Sequence, residues 1–157
     1  MEIIIRGKSP KLSAEELRYA TERMSSLIMS PQLLMNIQVT ISFKKEDGVY
    51  GTVEINDNDT DTVSLPRSFW IRINPKLSKS LIIQTLAHEL VHVKQFARGE
   101  MKDTRMPHVS KWNKQMINHE TIDYWDLPWE IEAFGREYGM YRRYTDHIRD
   151  QNIKFAS

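Results

Sequence analysis

The chain predicts an α+β domain, and three observations carry that reading. Alternating apolar and polar residues mark strands over 36–43, 49–55 and 68–73, all in the first half. Helical spacing fills the second half, over 79–98 and again from Pro128 towards Arg149. One capped helix, opening at Ser13, interrupts the strands. Strands first and helices last, with a single early helix, is the α+β pattern rather than an alternating one.

Taken in order, Ile3-Ile4-Ile5 is β-branched and predicts a short strand that Gly7 ends. Ser13-Ala14-Glu15-Glu16 predicts a capping box, with Ser13 accepting from the backbone of Glu16 and the Glu16 carboxylate reaching back. The helix it opens carries Leu17, Ala20, Met24, Leu27 and Ile28 on one face and stops near Pro31. Residues 36–43 form a half-buried strand, Lys44 to Gly48 a turn, and Val49 to Ile55 the returning strand of a hairpin. An acidic loop over 56–62 leads to Ser68–Ile73, the third strand of the expected meander, which Asn74-Pro75 closes. The helix over 79–98 ends at Gly99 as a C-cap. A mixed segment over 100–127 is expected to hold a short helix around 109–117 before the final helix.

Composition bounds the reading. A chain of 157 residues suits one domain, expected over 1–157, with a core that needs no staples. Net charge is +1, and Arg136, Arg142, Arg143 and Arg149 on the last helix are tempered by Glu137, Asp146 and Asp150. A solvated face is therefore expected there, not a nucleic-acid patch. The absence of cysteine removes disulfides, thiol catalysis and any Cys-based zinc ribbon, and suits a cytoplasmic protein. No apolar run approaches membrane-spanning length, and the acidic start is no signal peptide.

The chemistry is concentrated in His88-Glu89-Leu90-Val91-His92. On a helix, positions i and i+4 share a face, so the two imidazoles can hold one Zn²⁺. Glu89 then lies near the remaining coordination position, where a carboxylate can take a proton from water. Leu81, Ile82, Leu86, Leu90, Val93 and Ala97 explain why this helix is buried, but not why it carries the two histidines and the glutamate.

A catalytic zinc needs a third protein ligand. Gln95 and Arg98 stand where a metzincin would carry glycine and histidine, which excludes that class. His108, Glu130 and Glu132 remain. At 100° per residue, Glu132, Gly135 and Gly139 share one face of the last helix and Glu130 lies roughly opposite. Glycine inside a helix costs about 1 kcal/mol, and close approach to a neighbouring helix would account for two of them on one face. Glu130 has an alternative explanation in the helix dipole. Glu132 is therefore preferred, with Glu130 and His108 as alternatives. Tyr124, Tyr138 and His119 are candidate oxyanion donors, and Asp123 and Asp126 candidate partners for the ligand histidines, although helix capping suits the two aspartates better. Tyr124, Trp125 and Trp129 could wall a cleft or pack a loop, and packing is the expected fate.

The motif helix followed by Glu132-Ala133 on a second helix resembles the gluzincin arrangement of thermolysin and its smaller relatives. Over about residues 66–140 the chain is similar to small phage and bacterial SprT-like metallopeptidases, through its 88–99 and 124–135 segments. That resemblance implies a minimal zincin fold, with a small twisted sheet of about three or four strands over the active-site helix. It also implies one zinc, His88 and His92 as ligands, Glu89 as general base, and a protein or peptide substrate along an edge strand, here Ser68–Ile73. Two departures stand out. The better-known members use a third histidine, which could only be His108 and lacks the usual following glycine, and their cysteine ribbon is missing. Their DNA-linked role is not carried over. The expected function is a zinc metallopeptidase without membrane or nucleic-acid partners. The alternative is a silent, zinc-binding interaction or virion-associated module.

Overall fold

The computed structural model describes residues 1–9, 11–45, 48–56 and 65–155. Along the chain these form β1 (Glu2–Arg6), α1 (Ala14–Ser25), a single-turn α2 (Pro31–Leu34), β2 (Gln38–Phe43), β3 (Gly51–Ile55) and β4 (Ser68–Ile73). There follow α3 (Lys79–Ala97), β5 (Met101–Asp103), β6 (Val109–Trp112), β7 (Gln115–Asn118), a 3₁₀ turn (Tyr124–Asp126) and α4 (Pro128–Asp150). The α+β class is as expected, with a long C-terminal helix. Most of the expected 56–62 loop, and part of the expected turn at 44–48, lie outside the described residues.

The sheet is not a meander. Its order is β1-β2-β4-β3, with β1, β2 and β4 parallel and β3 antiparallel to β4. Period-two alternation shows that a segment is a strand but not which strand it pairs with. The apparent hairpin of β2 and β3 is opened by β4, which takes the place between them. Ser68–Ile73 is thus an interior strand, and the edge strand beside it is Gly51–Ile55. The parallel step from β1 to β2 needs a crossover, and α1 lies in it.

One face of the sheet builds the core. Ile3, Val39, Ile41, Phe69, Ile71 and Ile73 are buried there with Leu17, Ala20 and Met24 of α1 and Leu86 and Leu90 of α3. On the other face, Trp70 donates from Nε1 to Ser42 Oγ at 2.7 Å, with the Arg6 and Arg72 guanidiniums over its ring at 5.5 and 4.8 Å. Arg72 also pairs with Glu54 of β3.

Ser13 caps α1 by accepting from Glu16 N at 3.2 Å, but the expected reciprocal bond is absent. The Glu16 carboxylate turns inward instead, meeting Lys79 Nζ at 2.7 Å and the Tyr144 hydroxyl at 3.4 Å. It ties the starts of α1 and α3 to the far end of α4. Ser78 caps α3 in the same manner, and Gly99 follows its C-cap with φ +70°, a left-handed conformation that favours glycine.

The expected helix over 109–117 is instead the β6–β7 hairpin of a second, three-stranded antiparallel sheet. Its two-residue turn, Asn113-Lys114, has φ +45° and +73°, as a type I′ turn requires. Lysine at the second position hides the turn from a search for Asn-Gly. Among the described residues no helix is long and apolar enough to cross a membrane.

Phe69 sits fully buried on a central strand. Phe69→Ala should lower unfolding stability by about 3–5 kcal/mol, read from the denaturant midpoint at constant m-value.

Candidate metal centre and cleft

The α3 helix is buried on nearly every side from Thr85 to Ala97, packed between α4, α1 and strands β3 and β4. Such a helix is normally apolar all round. This one carries His88, Glu89, His92, Lys94 and Gln95 into the interior, and each polar group needs a partner there.

The partners fix the orientation of both imidazoles. Gln95 is fully buried, and its Nε2 donates to the Trp129 carbonyl and to Glu132 Oε2, each at 3.0 Å. With the amide nitrogen so engaged, Gln95 Oε1 is the acceptor that faces His92 Nδ1 at 2.8 Å. His92 therefore carries its proton on Nδ1 and presents a lone pair at Nε2. The same logic holds for His88, whose Nδ1 donates to Glu137 Oε2 at 2.8 Å.

The two Nε2 atoms lie 3.1 Å apart. Glu130 closes the triangle, with Oε2 at 3.3 Å from His88 Nε2 and Oε1 at 3.6 Å from His92 Nε2. Three such atoms facing one point are satisfied only by a cation or a shared proton among them. Donors held at about 2.0–2.1 Å by a tetrahedral ion stand roughly 3.4 Å apart, which these separations bracket. The buried group His88, His92 and Glu130 can hold a metal ion.

The third residue that the structure brings to this group is Glu130 and not the expected Glu132. The Glu132 carboxylate is held by Lys94 Nζ at 2.6 Å, Arg136 Nε at 2.8 Å and Gln95 Nε2 at 3.0 Å. The close approach expected at the glycines is absent, since a Cβ built on Gly135 or Gly139 meets nothing within 4 Å. Glu132 instead holds Gln95, which holds His92. His108 is well exposed and pairs with Glu120 at 3.7 Å, outside the donor group.

A usable signal lay in α4. Ala133, Met140 and Tyr144 are its buried stripe, and Glu130 and Glu137 fall within about 80° of them at 100° per residue. Glu137 and Gln95, not Asp123 and Asp126, support the ligand imidazoles. Asp123 caps the 3₁₀ turn by accepting from Trp125 N at 3.0 Å. Among the expected oxyanion donors only Tyr124 lines the cleft, where its hydroxyl donates to Glu130 Oε2 at 2.8 Å. Tyr138 is exposed, and His119 packs its ring on Trp129.

Charge follows from these contacts. Burial works against a proton on His88, but the Glu130 and Glu137 carboxylates, with Glu89 nearby, outweigh it and raise the imidazole to about 9. Burial holds His92 below its ordinary value. Burial also pushes the Glu89 carboxyl up to about 7, against the charge of His88, with Glu130 and Glu137 adding to the rise. Glu130 is itself pulled below the usual carboxylate range: the histidines and Tyr124 overcome its burial.

The donor group opens into a cleft of about 930 Å³. Residues 48–53, including the start of edge strand β3, line one wall, and Tyr124, Trp125 and Phe134 line another. The edge strand lies so close to α3 that a Cβ on Gly51 would stand 2.5 Å from Thr85 Cγ2 and 2.9 Å from Glu89 Oε1. Only glycine allows that approach. No protein-family model, curated protein or solved structure matches this chain.

Elemental analysis should find about one metal ion per chain in the wild type and little in Glu130→Ala. Glu132→Ala should keep the ion but bind it about 10–100-fold more weakly, having lost the brace on Gln95. The metal-free protein holds a proton on His88 up to about pH 9, and an incoming ion must expel it. Affinity should therefore rise with pH, by up to about tenfold per unit between roughly pH 6 and 8, in competition with a chromophoric chelator. A pH-independent affinity would contradict the protonated state assigned to His88.

Proposed function

We propose that the protein is a zinc-dependent peptidase. The observation that carries this reading is the place of Glu89: a buried carboxylate with a pKa raised to about 7, beside the metal-donor group, in an open cleft. A site that served only to staple the fold would have no use for a base so placed. The resemblance to SprT-like and gluzincin-type enzymes supports the same chemistry. Two imidazoles and a carboxylate suit zinc, which takes nitrogen and oxygen ligands and keeps an open position in catalytic sites.

An ion held by His88, His92 and Glu130 would supply Lewis acidity to a water and to the carbonyl of the bond to be cut. The protein's own groups do the rest. Glu89 takes the proton as the water oxygen bonds to the carbonyl carbon. It returns that proton to the amine nitrogen as the C–N bond breaks. One buried carboxylate beside the donor group serves both transfers. Glu137 and Gln95 hold the imidazoles in register. The peptide would lie along β3, whose unpaired edge can add a strand. The expectation for Ser68–Ile73 moves to Gly51–Ile55 for this reason.

Glu89→Gln keeps the shape of the side chain and removes the base. It should retain metal at the wild-type level while peptide cleavage, followed by mass spectrometry, falls about 10²–10⁴-fold. A wild-type protein that binds zinc and cleaves no peptide would instead indicate a silent, metal-binding module.

A further inference from the structure

The aromatic residues near the metal centre divide into two sets. Trp129 is buried against Trp112 and His119 and serves the core. Trp125, Tyr124 and Phe134 remain 66%, 49% and 37% exposed, although they pack on one another. Their centroids stand 5.0 Å (Trp125–Phe134), 5.5 Å (Tyr124–Trp125) and 6.3 Å (Tyr124–Phe134) apart, forming one continuous apolar wall. Three large rings left in water on a single patch oppose the hydrophobic effect, and nothing in the fold requires it.

The wall is continuous with the reaction centre. The Phe134 ring lies edge-on to His88 at 4.6 Å, and the Tyr124 hydroxyl bonds Glu130. All three rings line the cleft that β3 borders. Of the carboxylates beside Tyr124, Glu130 is engaged by His88, His92 and Tyr124 and Glu137 by His88, while Glu89 is buried under the donor group. That leaves the wall apolar in character. A peptide whose carbonyl reaches the donor group from β3 lays a neighbouring side chain against these rings.

Resting on the peptidase reading, we infer that Tyr124, Trp125 and Phe134 form a specificity subsite for a large apolar or aromatic side chain flanking the scissile bond. Trp125, the most exposed of the three, provides most of its surface. Small and charged side chains at that position leave the rings wet or lose their own hydration, and are cleaved more slowly.

The test uses the zinc-loaded full chain with a mixed peptide library, cleavage sites being read by mass spectrometry. Matched peptides that differ only by Phe or Ala at the selected position then give kcat/KM. The wild type should favour Phe by about tenfold or more. That ratio should fall to about threefold or less in Trp125→Ala and in Phe134→Ala, and recover in Trp125→Phe. Cleavage without preference, or a preference that survives both alanine variants, overturns the subsite and leaves the peptidase reading intact. No cleavage of any library peptide by the zinc-loaded wild type overturns the peptidase reading and the subsite with it.

Discussion

Burial of two imidazoles on α3 is the constraint on which the rest of this structure depends. A helix enclosed by a sheet and two other helices cannot carry His88 and His92 unless their polar atoms are satisfied from outside the helix. Gln95 satisfies one Nδ1 from the next turn, and Glu137 the other from α4. Both Nε2 lone pairs are then left facing Glu130, an arrangement stable only around a cation or a shared proton. Packed as it is, α4 brings the Glu130 and Glu137 carboxylates to the imidazoles.

Lys94 and Glu132 extend the same logic outward. A buried ammonium is costly unless it is paired, and Lys94 meets Glu132 at 2.6 Å and Glu100 at 2.7 Å. Glu132 is thereby fixed, and with it the amide of Gln95. The chain of contacts Lys94–Glu132–Gln95–His92 joins the surface of α4 to a ligand nitrogen. Each link would be an ordinary hydrogen bond or ion pair by itself. In series they leave His92 a single tautomer and a single ring orientation.

The sheet contributes by reversing direction once. Three parallel strands build the core, and the antiparallel β3 is left at the edge with its backbone open to the cleft. Gly51 brings that edge into near contact with Glu89 and Thr85, closing one wall of the cleft against α3. The aromatic residues of the 3₁₀ turn and α4 close another. Strand edge, buried Glu89 carboxylate and donor triangle thus meet at one opening.

Much of this was legible in the sequence. The capping serine at 13, the strand alternation, and the spacing of His88, Glu89 and His92 are local properties, set within a few residues of chain. They determined most of the elements, the class and two of the three residues of the group that can hold a metal. What the sequence left open was every choice between partners distant in the chain. The alternation of β2 and β3 is the same whether they pair with each other or with β4. The segment 109–117, expected as a helix, becomes a hairpin about Asn113-Lys114 only because the strands on either side meet. Glu130 and Glu132 are two residues apart on one helix, and only the packing of Ala133, Met140 and Tyr144 against the core decides which of them turns inward. Side-chain periodicity sets the relative angles of residues on a helix. Its absolute rotation is set by what the helix packs against, and that is a property of the tertiary structure alone.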